Sequence, residues 1–215
     1  MHVKAFIFDL DGTLIDSVEA HIRSWAYALR KLGFSVNEEK LKPLIGLSGK
    51  DILTKLYGQE ILKYYINIRK LKDRAFLHEL SRGGVQLFPG VIKLLKILKN
   101  HGMRIAIASS TPNYLLMHIC DYLGVSDYVD IIVGGDEVSR GKPYPDLFIR
   151  TIKLLGIKAK EVAIVGDTIY DVKPANEVGA ISILVNNIIG DNEVKPKYHF
   201  RYIHSMIGWV LSWNV

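Results

Sequence analysis

Cysteine is almost absent, with Cys120 the only one among 215 residues. No internal disulfide can form, and Cys120 ends the apolar run Leu115-Leu116-Met117-His118-Ile119-Cys120, the setting of a buried structural thiol rather than a nucleophile. Long apolar runs are missing too, since none reaches the roughly 18 residues needed to cross a bilayer. The first apolar run is short and ends in aspartates, unlike a signal peptide. The expectation is a cytoplasmic protein with no membrane partner. Clustered positive charge is also lacking. The formal net charge is +6, but the lysines are spread along helical patterns, as at Lys93, Lys96 and Lys99, so no nucleic-acid partner is expected. Internal repeats and low-complexity stretches are absent. At 49% apolar and 23% charged, the chain suffices for one domain with a sizeable core, or for such a domain with an insertion.

The chain's most informative stretch is Ala5-Phe6-Ile7-Phe8-Asp9-Leu10-Asp11-Gly12-Thr13. Its apolar run of β-formers has the pattern of a strand buried on both faces. It ends in two carboxylates one residue apart, a glycine and a hydroxyl. In an open α/β sheet, ligands sit beyond the carboxyl ends of strands, where these acids would lie. Two negative charges held close must share a proton or a cation, and oxygen-only ligands favour a hard ion, most simply Mg2+. An isolated Asp-x-Asp-Gly is equally the composition of a solvated turn, so the rest of the chain has to decide.

Asp16-Ser17-Val18-Glu19 reads as a helix start, with Asp16 or Ser17 as N-cap and Glu19 completing a capping box. Helical spacing continues through Ile22, Trp25, Ala26, Leu29 and Leu32 to a stop at Gly33. Further helices are expected over 38–41, 50–57 and, as one longer stretch, 60–80, with no strand between Asp16 and Arg82. Residues 16–83 therefore read as an all-helical unit inserted into an α/β domain formed by 1–15 and 84–215. From Val85 the rhythm changes. Strands at 104–108, 131–133, 162–165 and 182–185 alternate with helices at 91–100, 113–123, 146–155 and 171–178, the signature of a parallel doubly wound sheet. One more short strand near Phe200 and a closing amphipathic helix follow, with Trp209 and Trp213 expected to pack inward.

Three later strand ends or loops carry polar groups. Ile105-Ala106-Ile107-Ala108 runs into Ser109-Ser110-Thr111 just before a helix, where hydroxyls and free backbone N–H groups make an anion site. Arg140-Gly141-Lys142-Pro143 forms a loop before a helix. Val162–Val165 leads into Gly166-Asp167-Thr168-Ile169-Tyr170-Asp171, two more carboxylates four residues apart.

Together these motifs resemble those of the haloacid dehalogenase-like hydrolase superfamily, over essentially the whole chain. The helical insertion after the first motif resembles the cap of the subfamily that contains phosphoglycolate phosphatase and β-phosphoglucomutase. The resemblance implies an aspartyl-phosphate phosphatase acting on a small phosphorylated metabolite, with phosphoglycolate the leading candidate. By this resemblance Asp9 is the nucleophile, Asp11 the general acid/base, and Lys142 the neutralising cation. Ser109, assisted by Ser110 and Thr13, holds the phosphoryl group. Mg2+ is held by Asp9, the Asp11 backbone carbonyl and Asp167, with Asp171 as ligand through water or as support for Lys142. Leu44-Ile45-Gly46-Leu47-Ser48-Gly49-Lys50-Asp51 resembles the substrate-specificity loop, making Gly46 and Lys50 candidate substrate contacts. Asp11 is absent from true dehalogenases, which favours phosphoryl transfer. Gly49 stands where β-phosphoglucomutases tend to carry an arginine. Sugar-phosphate phosphatase, pyrophosphatase and mutase chemistry remain alternatives, with a phosphonoacetaldehyde hydrolase and an idle binding module behind them. A monomer or homodimer is expected.

Overall fold

A computed structural model describes residues 3–186 and 194–214. The chain opens with β1 (Ala5–Phe8) and a two-residue strand β2 (Ile15–Asp16). The helices α1 (Val18–Lys31), α2 (Glu38–Leu41), α3 (Gly49–Tyr57) and α4 (Tyr65–Ser81) follow, then a second two-residue strand β3 (Gln86–Leu87). The rest alternates: α5 (Val91–Asn100), β4 (Arg104–Ser109), α6 (Asn113–Tyr122), β5 (Ile131–Gly134), α7 (Asp146–Leu155), β6 (Val162–Gly166), α8 (Ile169–Glu177) and β7 (Ile181–Val185). It ends with β8 (Tyr198–Phe200) and α9 (Met206–Leu211).

Six strands form one parallel sheet in the order β5-β4-β1-β6-β7-β8. The chain winds outward from β1 through β4 to β5, crosses back to β6, and winds the other way. This puts the reversal of strand order around β1, where ligands of doubly wound sheets bind. Strand alternation sorts β1 onto two cores. Phe6 and Phe8 join α5, α6 and α9 on one face, while Ala5 and Ile7 join α7 on the other. Burial on both faces is why these strands read as continuous apolar runs. Trp209 and Trp213 pack inward against Tyr198, Phe200 and Phe6.

The inserted helices form a cap with an apolar cluster of its own, built on Ile22, Trp25, Leu29, Leu41, Leu53 and Ile68. Four local expectations are corrected. The 60–80 stretch is not one helix: a 3-10 segment, Gln59–Tyr64, precedes α4. The boundary is not strand-free either, because β2 and β3 pair antiparallel at the two chain crossings. Ser17 occupies the N-cap position of α1 but makes no capping bond; its hydroxyl goes to Asp11, and Glu19 pairs with Lys42 instead. Helix α8 begins two residues before the expected start because Thr168 caps it by accepting the Tyr170 N–H.

Candidate active site

Three neighbouring strands end side by side. β1 delivers Asp9 and Asp11, β4 delivers Ser109 to Thr111, and β6 delivers Asp167 to Asp171. Gly12 makes the turn after β1 possible. Its φ is +80°, which side-chain-bearing residues rarely adopt, and a Cβ there would lie 2.2 Å from Asp167 Oδ2. Asn186 fixes the same turn from β7, donating from Nδ2 to the carbonyls of Gly12 (3.0 Å) and Thr13 (2.9 Å).

Lys142 is fully buried, with Nζ 2.7 Å from Asp9 Oδ1 and 2.6 Å from Asp171 Oδ1. Asp171 also accepts from the Thr168 N–H and hydroxyl. Asp9, Asp167 and Asp171 each offer an oxygen within 4.8 Å of the others. One lysine does not neutralise three clustered acids. Burial pushes Asp9 up to about 7, with the charges of Asp171 and Asp11 adding to the push and Lys142 opposing it. Asp167 is raised well above the usual carboxylate range by burial, Asp171 and Asp9. Although burial works against the ammonium form, Asp171 and Asp9 raise Lys142 and keep it charged. Surplus negative charge on oxygen donors alone is what a hard divalent cation relieves, so these residues fit such an ion.

Asp11 faces the other way. Its Oδ1 accepts from Ser17 Oγ (2.7 Å) and lies 2.7 Å from His21 Nε2; its Oδ2 accepts from Thr111 Oγ1 (3.1 Å) and, at 3.4 Å, from Ser109 Oγ. Burial would raise Asp11, but His21, Ser17 and Lys72 outweigh it and hold the carboxyl below its ordinary range. Burial, with the nearby Lys72 and Arg69 charges, lowers His21, while the Asp11 carboxylate works the other way.

Asp9, Asp11 and Ser109 to Thr111 line a small cavity of about 30 Å³. The cap supplies its other walls, including His21, Trp25, Gly46, Arg69 and Lys72. Lys72 is 1% exposed, and burial beside Arg69 pushes its ammonium down to about 7. Cap and sheet are also tied directly. Ser110 Oγ donates to Gly46 O (2.8 Å), Tyr170 Oη to Pro43 O (3.0 Å), and Tyr114 Oη to Asp73.

A model of the haloacid dehalogenase-like hydrolase family matches residues 6–185. The chain belongs to that family. It is 31% identical to a phosphoglycolate phosphatase of Yersinia pestis over 182 residues, 82% of this chain and 78% of that one. A crystallised hydrolase from Pseudomonas syringae is 25% identical with a TM-score of 0.86, covering 97% of this chain and 98% of its own. β-Phosphoglucomutase from Clostridium difficile, at 20% identity, a TM-score of 0.82 and coverage of 99% and 98%, shares the fold.

Within this family member, Asp9, Asp11, Ser109, Ser110 and Gly46 meet at the cavity, with Lys142, Asp167 and Asp171 directly behind Asp9. Thr13 and Lys50 do not line the cavity. The Thr13 hydroxyl donates to Asp167 Oδ1 (3.1 Å), and exposed Lys50 has Nζ 5.6 Å from the Tyr65 ring centre. The Asp11 carboxylate lies outside the acidic cluster, so its expected metal contact is left to the backbone carbonyl. Sequence reasoning missed His21, Arg69, Lys72 and Asn186.

Proposed function

We propose that the protein is a Mg2+-dependent phosphatase that hydrolyses a small phosphorylated metabolite through an aspartyl-phosphate on Asp9, with phosphoglycolate the leading substrate. The observation that carries this reading is the grouping of Asp9, Asp167, Asp171 and Lys142, with Asp9 lining a cavity between the sheet and the inserted helices. The phosphoglycolate phosphatase name of the Yersinia pestis relative supports the substrate.

In the first step an Asp9 oxygen bonds to phosphorus while the phosphorus–oxygen bond to the leaving group breaks, and Asp11 protonates the departing oxygen. In the second, water attacks phosphorus, Asp11 takes its proton, and the bond to Asp9 breaks to release phosphate. Ser109 Oγ and the Ser110 N–H hold phosphoryl oxygens, and Lys142 offsets the charge that gathers on Asp9. Asp9, Asp167 and the Asp11 carbonyl would hold Mg2+, with Asp171 supporting Lys142; the ion supplies Lewis-acid charge neutralisation to the phosphoryl group. The donors around Asp11 favour its ionised form, the form needed to activate water. The approach of a phosphoryl dianion opposes them and promotes the protonated form needed for the first step.

Residues 16–83 act in this proposal as a cap domain over a core of 1–15 and 84–215, excluding bulk water from the aspartyl-phosphate. The test is phosphate release from a panel containing phosphoglycolate, pyrophosphate and β-glucose 1-phosphate, with and without chelator. Release that depends on Mg2+ and is greatest for phosphoglycolate is expected. Asp9→Asn should lower it by several powers of ten with the fold unchanged, and activity within about tenfold of wild type would remove Asp9 as nucleophile.

A further inference from the structure

Asn186 follows β7 and lies beside the turn that comes after Asp11. Its φ of +57° makes it the one side-chain-bearing residue with a left-handed backbone among the described residues. Asparagine tolerates that region better than most residues, but glycine suits it best, so the backbone alone does not require an amide there. A strained position persists where its surroundings fix it, and such positions gather at functional sites.

The amide is used on both sides. Nδ2 donates to Gly12 O (3.0 Å) and to Thr13 O (2.9 Å), while Oδ1 accepts the Ile203 N–H (2.9 Å). Ile203 is buried and begins the 3-10 turn that leads into α9, whose Met206 and Val210 belong to the sheet domain's core. Asn186 thus ties the turn after β1 to a packed part of the molecule.

What it holds is the peptide next to the Asp11 carbonyl. Within that carbonyl's own peptide, the Gly12 N–H donates to Ile15 O (2.9 Å). In the following peptide, Gly12 O takes the first bond from Asn186. Gly12 stands between the two at a φ of +80°, and glycine has the widest backbone freedom of any residue, so the turn needs a hold from outside. Thr13, whose carbonyl takes the second bond, donates its hydroxyl to Asp167 Oδ1 (3.1 Å). One amide therefore restrains the backbone beside the Asp11 carbonyl and the residue that orients Asp167. Both of those groups hold Mg2+ in the proposed function. Mg2+ demands near-octahedral geometry, so a donor free to swing costs affinity.

We infer that Asn186 is a positioning residue that sets the affinity for Mg2+ by fixing the Asp11 carbonyl and, through Thr13, Asp167. The inference rests on the phosphatase reading and deepens its metal site. Asn186 itself is neither a ligand nor a contact of the reacting atoms. Its loss should weaken the metal rather than the chemistry of the loaded enzyme.

Isothermal titration calorimetry of Mg2+ into wild type, Asn186→Gly and Asn186→Asp reads the metal directly, without turnover. Asn186→Gly keeps the left-handed backbone and deletes all three bonds. Asn186→Asp keeps the size and the acceptor for the Ile203 N–H, but its carboxylate has no hydrogen to donate to the turn. Losing an outer-shell partner costs about 10–100-fold in metal affinity, so both dissociation constants should rise by about tenfold or more. For Asn186→Asp this rise is expected against an added negative charge, which by itself attracts the ion. Raising Mg2+ to saturation should restore most of the phosphate release lost at limiting Mg2+. Melting temperatures in chelator read stability separately. Circular dichroism shows which variants are folded, and Asn186→Asp carries the comparison should the glycine variant unfold. A purely structural strut would lower the melting temperature and leave the dissociation constant of a folded variant within about twofold of wild type, and that result overturns the inference alone. Wild type that binds no Mg2+ defeats the metal of the phosphatase reading, and the inference with it.

Discussion

Lys142 is the residue on which the buried acids depend. It gives two carboxylates an ammonium partner, and none of the three side chains has appreciable contact with water. Lys142→Met keeps the volume and deletes the charge. Removing one side of a buried ion pair costs about 3–5 kcal/mol, so urea unfolding at pH 7 should show a loss of that order together with loss of activity. A cost below about 1 kcal/mol would mean that the buried ion pair contributes little to stability. Asp130 offers a pH-dependent case away from the site. Burial works to raise it, but the Ile105 N–H, Lys99 and Arg104 together bring it below its ordinary value. A carboxyl depressed on folding adds stability above its unfolded pKa and loses that contribution as pH falls through its folded one. Asp130→Asn should therefore cost about 1 kcal/mol at pH 7 and progressively less toward pH 3, read by thermal melts across that range.

Helix α1 shows how an element can start without its expected cap. Its Ser17 hydroxyl serves Asp11, so Ser17→Ala should leave helix stability within about 0.5 kcal/mol of wild type, below the usual cost of losing an N-cap, while lowering turnover severalfold. A full capping penalty with normal turnover would reverse that assignment. The same distinction separates what was legible in the sequence from what was not. Asp9, Ser109 and Asp167 each follow directly on an apolar strand, so the end of the β pattern marks them. His21, Arg69 and Lys72 sit inside helices that read as ordinary amphipathic patterns, and only tertiary packing turns them toward the cavity. One local signal was available in α4. Ile68, Lys72, Phe76 and Leu80 form a single fully buried stripe at four-residue spacing, and a lysine within such a stripe marks a buried cation. Asn186 offered no comparable signal, because its role comes from the crossing of β7 beside the Gly12 turn.

For the molecule as a whole, the sheet domain supplies the acids and the cap supplies the opposing cations, so the cavity exists only where the two meet. Any movement of the cap away from the sheet must break the bonds from Ser110, Tyr114 and Tyr170 to the cap. Metal binding is expected to act on the folded state alone. Mg2+ at a hundred times its dissociation constant should stabilise the protein by about 2.7 kcal/mol, visible as a higher melting temperature that chelator reverses. Asp167→Asn should weaken that response strongly, and an undiminished shift would place the ion elsewhere.

The three tryptophans divide between the two halves of the molecule. Trp209 and Trp213 pack together behind β1, while Trp25 lies on the cavity wall with the Lys72 ammonium 5.9 Å from its ring. With the first two replaced by phenylalanine, the remaining indole would be a sole emitter placed where substrate arrives. Its fluorescence would then time the entry of a ligand and the movement of the cap in a stopped-flow trace, with no dye attached.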